Sequence, residues 1–214
     1  MHAYILLDRT GSMQSIWDEA LGSVNAYVKA LTEGRTTTKT GADAHVTLAV
    51  FDAHDGLAFD VLRDGVPAAT WTDVTNADAT PRGMTPLFDA IGRMVARAEA
   101  DAPDKAILVI MTDGAENASR EMKKEDVKAA LERIEKRGWQ VVFLGAEFAK
   151  FDDADAVGVA SGKQMAMGGK MMRASMSSLA RKTRGYFEEN QEVTFNAADR
   201  AEAGEADVQR RKGS

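Results

Sequence analysis

The chain is predicted to be an α/β protein with a doubly wound, Rossmann-like, mostly parallel sheet of about six strands, one of them antiparallel at an edge. Three observations lead there. Short apolar runs of strand length alternate with longer segments whose apolar residues recur every three or four positions. Two of those runs end in a carboxylate followed by glycine, at Asp8 and Gly11 and at Asp113 and Gly114. One pair of runs is separated by a short turn alone, which marks a single hairpin in an otherwise alternating order. Strand and helix in alternation imply a sheet with helices on both faces.

The first run, Ala3 to Leu7, ends at Asp8 and opens into Arg9-Thr10-Gly11-Ser12. Ile16, Ala20, Val24, Tyr27, Val28 and Leu31 then fall at helical spacing, predicting a helix from about Met13 to Glu33 that stops at Gly34. Arg35 to Gly41 reads as a loop. His45 to Phe51 and Leu57 to Leu62 form the hairpin around Asp52-Ala53-His54-Asp55-Gly56, and Asp64 to Pro67 ends it. Ala68 to Arg82 has no strong period. Pro86 suits a first helical position with Thr85 as the cap. Leu87, Ile91, Met94, Val95 and Ala98 make one apolar face, with Asp89 and Arg93 spaced to pair on the other.

Lys105 to Met111 is a strongly apolar strand closed by Thr112-Asp113-Gly114. Val127, Ala130, Leu131 and Ile134 define a helix of about Lys124 to Arg137, acidic at its start and basic at its end. Gly138 stops it. Trp139 to Leu144 is the next strand, Phe148 to Asp155 a short helix, and Val157 to Ala160 a last short strand. A Met-rich helix is expected from about Gln164 to Glu189, with Met172, Met176, Leu179, Thr183 and Tyr186 on one face. That face either packs back on the sheet, with Met as adaptable filler, or docks a partner or a second copy. The expected division is a domain over 1–162, a helical extension over 163–190, and a charged, flexible tail over 191–214.

With 214 residues, 44% hydrophobic, the chain is long enough for one α/β domain with a real core. Its formal charge is −6, from 27 basic and 33 acidic residues, which argues against a phosphate-backbone binder. The absence of cysteine excludes disulfides, Cys-ligated zinc and thiol catalysis. The strand that follows Met1-His2 directly predicts no secretory signal, and no apolar run approaches the ~20 residues of a membrane span. A cytoplasmic protein with no nucleic-acid or membrane partner is the expectation. His2, His45 and His54 lack metal-ligand spacing. Neither a P-loop, a dinucleotide-binding glycine pattern nor a Ser nucleophile elbow is present.

Asp8, Thr10 and Ser12 put three hard oxygen donors within one turn of backbone, the chemistry of a hard divalent cation. The plain alternative is a strand that ends in a helix cap. Thr85 and Asp113 fall in two further loops at the same sheet edge of the expected topology, where ligands of open α/β sheets bind. In these loops the chain resembles von Willebrand factor A domains carrying a metal-ion-dependent adhesion site. That site combines D-x-S-x-S, a Thr and an Asp from three loops. Asp8-x-Thr10-x-Ser12 matches the first with Thr in place of one Ser, Thr85 the second and Asp113 the third. The resemblance covers about residues 3–160. Thr112 to Glu121 and Gly138 to Ala146 are similar to runs in small stand-alone A-domain proteins of bacteria and phages.

The resemblance implies that Asp8, Thr10, Ser12, Thr85 and Asp113 hold Mg²⁺, with Mn²⁺ and Ca²⁺ as alternatives. It implies a non-enzymatic module that binds an Asp or Glu of a protein partner, with an ATPase or other assembly component as a partner class. Two alternatives stand beside it, a metal-dependent phosphohydrolase and an assembly protein that forms a homodimer through the Met-rich helix. Arg9, Asp52, Glu116 and Asn117 are candidates for ligand contact or for support of the metal residues. Each has a plainer reading: Arg9 as a solvated charge, Asp52 as a hairpin residue, Glu116 and Asn117 as turn or capping residues.

Overall fold

The computed structural model describes residues 1–33, 44–146 and 151–212, without the side chains of 211 and 212. The opening apolar run forms β1 (His2–Asp8), buried from Ala3 onward. It lies between β2 (His45–Ala53) and β4 (Ala106–Thr112), parallel to both. β3 (Leu57–Pro67) pairs antiparallel with β2 at one edge. β5 (Gln140–Ala146) and β6 (Gln164–Met167) extend the parallel sheet to the other edge, giving the order β3-β2-β1-β4-β5-β6. The chain leaves β1 toward β2 and later returns to its other side as β4. The carboxyl ends of β1 and β4 therefore flank the topological switch point, where open sheets bind ligands.

Period-two alternation makes each buried strand feed two cores. Ala3, Ile5 and Leu7 of β1 join one core with α1 (Trp17–Thr32) and α5 (Met172–Glu189). Tyr4 and Leu6 join the other with α2 (Leu87–Asp101) and α3 (Lys124–Glu135). Six strands, the antiparallel edge and helices on both faces agree with the expected fold class.

Several local expectations are corrected. The first helix opens as a 3₁₀ turn, Gly11–Ile16, and becomes α-helical at Trp17. Its predicted stop at Gly34, the loop over 35–41 and Phe148 lie outside the described residues. The second hairpin strand runs on to Pro67 through a bulge between the pairs Leu48 with Arg63 and Val46 with Val66. Gly65 makes the bulge feasible: its φ is +57°, and its N–H is taken by the Thr47 hydroxyl at 3.0 Å. α2 begins at Leu87, with Pro86 rather than Thr85 at the cap position. Asp89 does not pair with Arg93. It is buried and accepts the backbone N–H groups of Arg120, Glu121 and Met122 at 2.7–3.0 Å.

The last strand is Gln164–Met167, not Val157–Ala160. The N–H groups of Val157 and Val159 bond back to Asp153 and Ala154, at the short helix α4 (Asp152–Ala156), and are lost to the sheet. Met165 and Met167 thus sit in β6. With Met172 and Met176 of α5 they are buried in the core that α1 shares, while Met171 is 45% exposed. The Met-rich face packs on the domain.

The stretch expected to be a flexible tail contains α6 (Ala197–Glu202) and α7 (Glu205–Lys212). Asn196 caps α6 in a capping box with Asp199, and Ala203 and Val208 are buried. The Glu205 carboxylate accepts the Ala166 N–H at 3.0 Å and pairs with Arg200 at 2.9 Å. Ala203 O accepts the Gly168 N–H at 3.0 Å. The segment therefore covers backbone donors on and just after the edge strand β6 that would otherwise template pairing with another chain. Glu205→Ala leaves the buried Ala166 donor unpaired, at about 1–3 kcal/mol. Hydrogen exchange at that amide is expected to quicken roughly 5- to 150-fold. Unchanged exchange would show that the contact does not hold the edge.

Candidate metal centre

Loop 1 is built around Asp8. Its Oδ1 accepts the Thr10 N–H at 2.7 Å, a local turn that brings the Thr10 and Ser12 hydroxyls to 3.1 Å of each other. The Ser12 hydroxyl donates to Asp113 Oδ1 at 2.7 Å, which joins loop 1 to the end of β4. The Thr112 hydroxyl donates to Asp8 Oδ2 at 2.5 Å. Thr85 closes the cluster from loop 2. A Cβ placed on Gly114 would meet Thr85 Oγ1 at 3.0 Å and Asp8 Oδ2 at 3.7 Å, so only glycine leaves this space open. The three sequence-predicted loops thus meet, and all five predicted positions share one cluster. Thr112 was missed by sequence reasoning; its signal is a hydroxyl directly before the third-loop carboxylate.

Asp8 is fully buried and Asp113 nearly so. Burial pushes the Asp8 carboxyl up to about 7, helped by the charge of Asp113 and opposed by the hydrogen bonds from Thr112 and Thr10. Burial also raises Asp113, against the hydrogen bond from Ser12. The nearest cation in sequence gives no relief, because Arg9 turns away. Its Nε donates to Asp52 Oδ1 at 2.7 Å and its Nη2 to Asp60 Oδ2 at 2.5 Å. Two buried carboxylates among hydroxyls, with a gap kept by a glycine, make an oxygen-only donor set that has no counter-charge among the described residues. That set fits a hard divalent cation. Among the described residues no three His, Asp or Glu side chains gather into an alternative site.

The four supporting candidates divide by location. Arg9 is buried rather than solvated, and Asp52 is fully buried rather than an ordinary hairpin residue. Asp52 Oδ2 also accepts Arg82 Nε at 3.0 Å, and Arg9 O accepts the Arg82 N–H at 2.8 Å. This network ties loop 1 to loop 2. Asn117 grips Thr85 from both sides: its Oδ1 accepts the Thr85 N–H at 2.9 Å, and its own N–H donates to Thr85 O at 3.1 Å. Glu116 accepts Phe88 N–H at 2.9 Å at the start of α2, and the Ala118 and Ser119 N–H groups at 2.9 and 2.7 Å. Both residues do the capping work of their plainer reading, and Asn117 in doing so fixes Thr85.

Sheet order, switch-point location and this three-loop cluster define the fold of a von Willebrand factor A domain. Solved structures agree. The von Willebrand factor domain of the type V pili tip protein Mfa5 from Porphyromonas gingivalis superposes at a TM-score of 0.64 and 10% identity, over 90% of this chain and 97% of that one. Proximal thread matrix protein 1 from the mussel byssus, with a zinc-occupied adhesion-site motif, gives 0.58 at 17% identity over 84% of this chain. This chain spans 45% of the mussel protein. The manganese-loaded TRAP protein of Plasmodium vivax gives 0.54 at 13% identity, over 81% of this chain and 70% of that one. No family model and no curated sequence matches the chain. Among the described residues no helix is long and apolar enough to cross a membrane.

Proposed function

We propose that the chain is a non-enzymatic, divalent-metal-dependent protein-binding module that takes an Asp or Glu carboxylate from a partner. The observation that carries this reading is the pair of buried carboxylates, Asp8 and Asp113, held among hydroxyls at the sheet's switch point with no cation paired to them among the described residues. Asp8, Thr10, Ser12, Thr85 and Asp113 would hold the metal. Bound there, the ion supplies local positive charge and an open position for an outside carboxylate. Mg²⁺ is the metal of this reading, and the oxygen donors also accommodate Mn²⁺ and Ca²⁺. The zinc and manganese named for the mussel and Plasmodium proteins support a divalent ion without selecting one.

What the chain's own residues do is hold and orient. Thr112 and the Thr10 N–H fix the Asp8 carboxylate, Asn117 fixes Thr85, and Ser12 bridges to Asp113. These contacts are hydroxyl and amide, with no Lys or His among them in the described residues, which favours binding over phosphoester hydrolysis. The homodimer alternative draws no support from Met172 and Met176, which are buried. An ATPase or other assembly component is the partner class that the resemblance to von Willebrand factor A domains implies, and a cytoplasmic setting stays part of this proposal.

The test is capture on the immobilised chain in Mg²⁺ followed by elution with EDTA. A partner released by EDTA, and not retained by Asp113→Ala, is the expected result. Retention that ignores both EDTA and the substitution counts against the reading. Mg²⁺-dependent turnover of a phosphoester would transfer it to the enzyme class.

A further inference from the structure

Beside the metal residues lies a second feature that the carboxylate reading does not use. Met84 is 54% exposed, and among the described residues only it and Met171 are large hydrophobics left so open. It directly precedes Thr85, so their Cα atoms are about 3.8 Å apart. The backbone under it is fixed. Met84 and Ala53 exchange both N–H···O bonds at 2.9 Å. Gly83 holds a φ of +71°, and a Cβ there would lie 2.4 Å from Ala53 O. A loop made this rigid presents an apolar side chain to solvent at the rim of the site. Exposure of that kind costs hydrophobic free energy that a partner can recover.

Met84 also forms one wall of a cavity of about 220 Å³, with His54 and Gly56 of the hairpin turn and Ala118, Ser119 and Arg120 on the far side. The cavity is large enough for one aliphatic side chain. The exposed charged residues around it carry both signs: Asp55 and Glu121 as well as Arg120, and Arg82, which pairs with Asp52 at 3.0 Å.

We infer that the partner segment is a peptide whose metal-directed Asp or Glu is immediately flanked by an aliphatic residue, which seats against Met84 in this cavity. The inference rests on the carboxylate-binding function proposed above. It makes Met84 a specificity determinant of that function: the carboxylate supplies metal dependence, and the aliphatic neighbour discriminates among acidic sequences.

The test uses three blocked peptides, Ac-Leu-Glu-Leu-NH2, Ac-Ser-Glu-Ser-NH2 and Ac-Leu-Gln-Leu-NH2, titrated into full-length chain in Mg²⁺ with its methionine methyls labelled for NMR. Leucine on both sides makes the result independent of peptide direction. The Leu-Glu-Leu peptide is expected to bind about five- to tenfold more tightly than Ser-Glu-Ser, the scale of one partly buried aliphatic side chain. It should shift the Met84 methyl, and the preference should fall below about twofold in Met84→Ser, which alters an exposed residue outside the core. Equal binding of the first two peptides overturns the Met84 inference and leaves the carboxylate function standing. If neither glutamate peptide binds, or Leu-Gln-Leu binds as well as Leu-Glu-Leu, the carboxylate function itself fails and the inference fails with it.

Discussion

Asp8→Asn is expected to abolish the rise in melting temperature that Mg²⁺ produces in the native chain while leaving the metal-free protein at least as stable as before at pH 8. A ligand present at a hundred times its Kd stabilises the native state by about 2.7 kcal/mol, or roughly 5–10 °C for a chain of this size. Asparagine keeps an acceptor for the Thr10 N–H, and the Thr112 hydroxyl can rotate to accept from its amide, so the local hydrogen bonds survive. What is lost is a buried negative charge that only a cation compensates. The same charge gives the native chain a pH signature. The folded pKa of Asp8, about 7, lies above its unfolded value near 3.8. Its contribution to metal-free stability is thus fully present below the unfolded value and is lost as pH rises through the folded one. Metal binding needs the deprotonated carboxylate. The Mg²⁺-induced shift, measured against EDTA at each pH so that other groups cancel, should be large at pH 8 and small at pH 5. A shift that is equal at both pH values, or that survives in the asparagine variant, would place the metal elsewhere.

The site was legible in the sequence because its chemistry is concentrated where strands end. Asp8 and Asp113 stop apolar runs, and hydroxyls at fixed offsets need little tertiary knowledge to be grouped. The unbroken apolar run of β1 likewise announces a strand buried on both faces. What failed was what depends on distant chain. Asp89 and Arg93 have the spacing of a helix-surface pair, yet the 120–122 backbone folds back and claims the Asp89 carboxylate. Gln164–Met167 lacks β-branched residues and reads as helix by propensity, and only pairing with β5 makes it a strand. α6 and α7 have no apolar stripe, since Ala203 between them and Val208 are their only buried apolar residues among those described, but the Asn196-x-x-Asp199 capping box is a start signal that stood in the sequence. Arg9 was misjudged for a related reason. An arginine inside a polar loop is ordinarily solvated, and nothing local shows that Asp52 and Asp60, more than forty residues away, draw it into the protein.

That ion network carries the second large effect. Asp52 is fully buried and lies between Arg9 and Arg82, while the Asp60 side chain, the other partner of Arg9, is 53% exposed. Removing one member of a buried pair strands the other, at about 3–5 kcal/mol, and for a chain of this size that lowers the melting temperature by roughly 6–20 °C. Asp52→Ala is expected to fall in that range. Replacing both charges removes the stranded cation as well, so Arg9→Met combined with Asp52→Leu should melt well above Asp52→Ala alone. The double variant also separates stability from site geometry. Arg9 sits between Asp8 and Thr10, and Asp52 contacts the Arg82 that leads into Gly83 and Thr85, so the network sets the spacing of loops 1 and 2. A double variant that recovers its melting temperature but binds Mg²⁺ about tenfold or more weakly would assign the network to loop positioning, in line with the losses seen when groups that orient metal ligands are removed. If the single variant melts like the native chain, Arg9 reaches solvent or Asp60 well enough to do without Asp52. The two loops would then be held together by their backbone contacts, Gly11 N–H to Gly83 O and Arg82 N–H to Arg9 O.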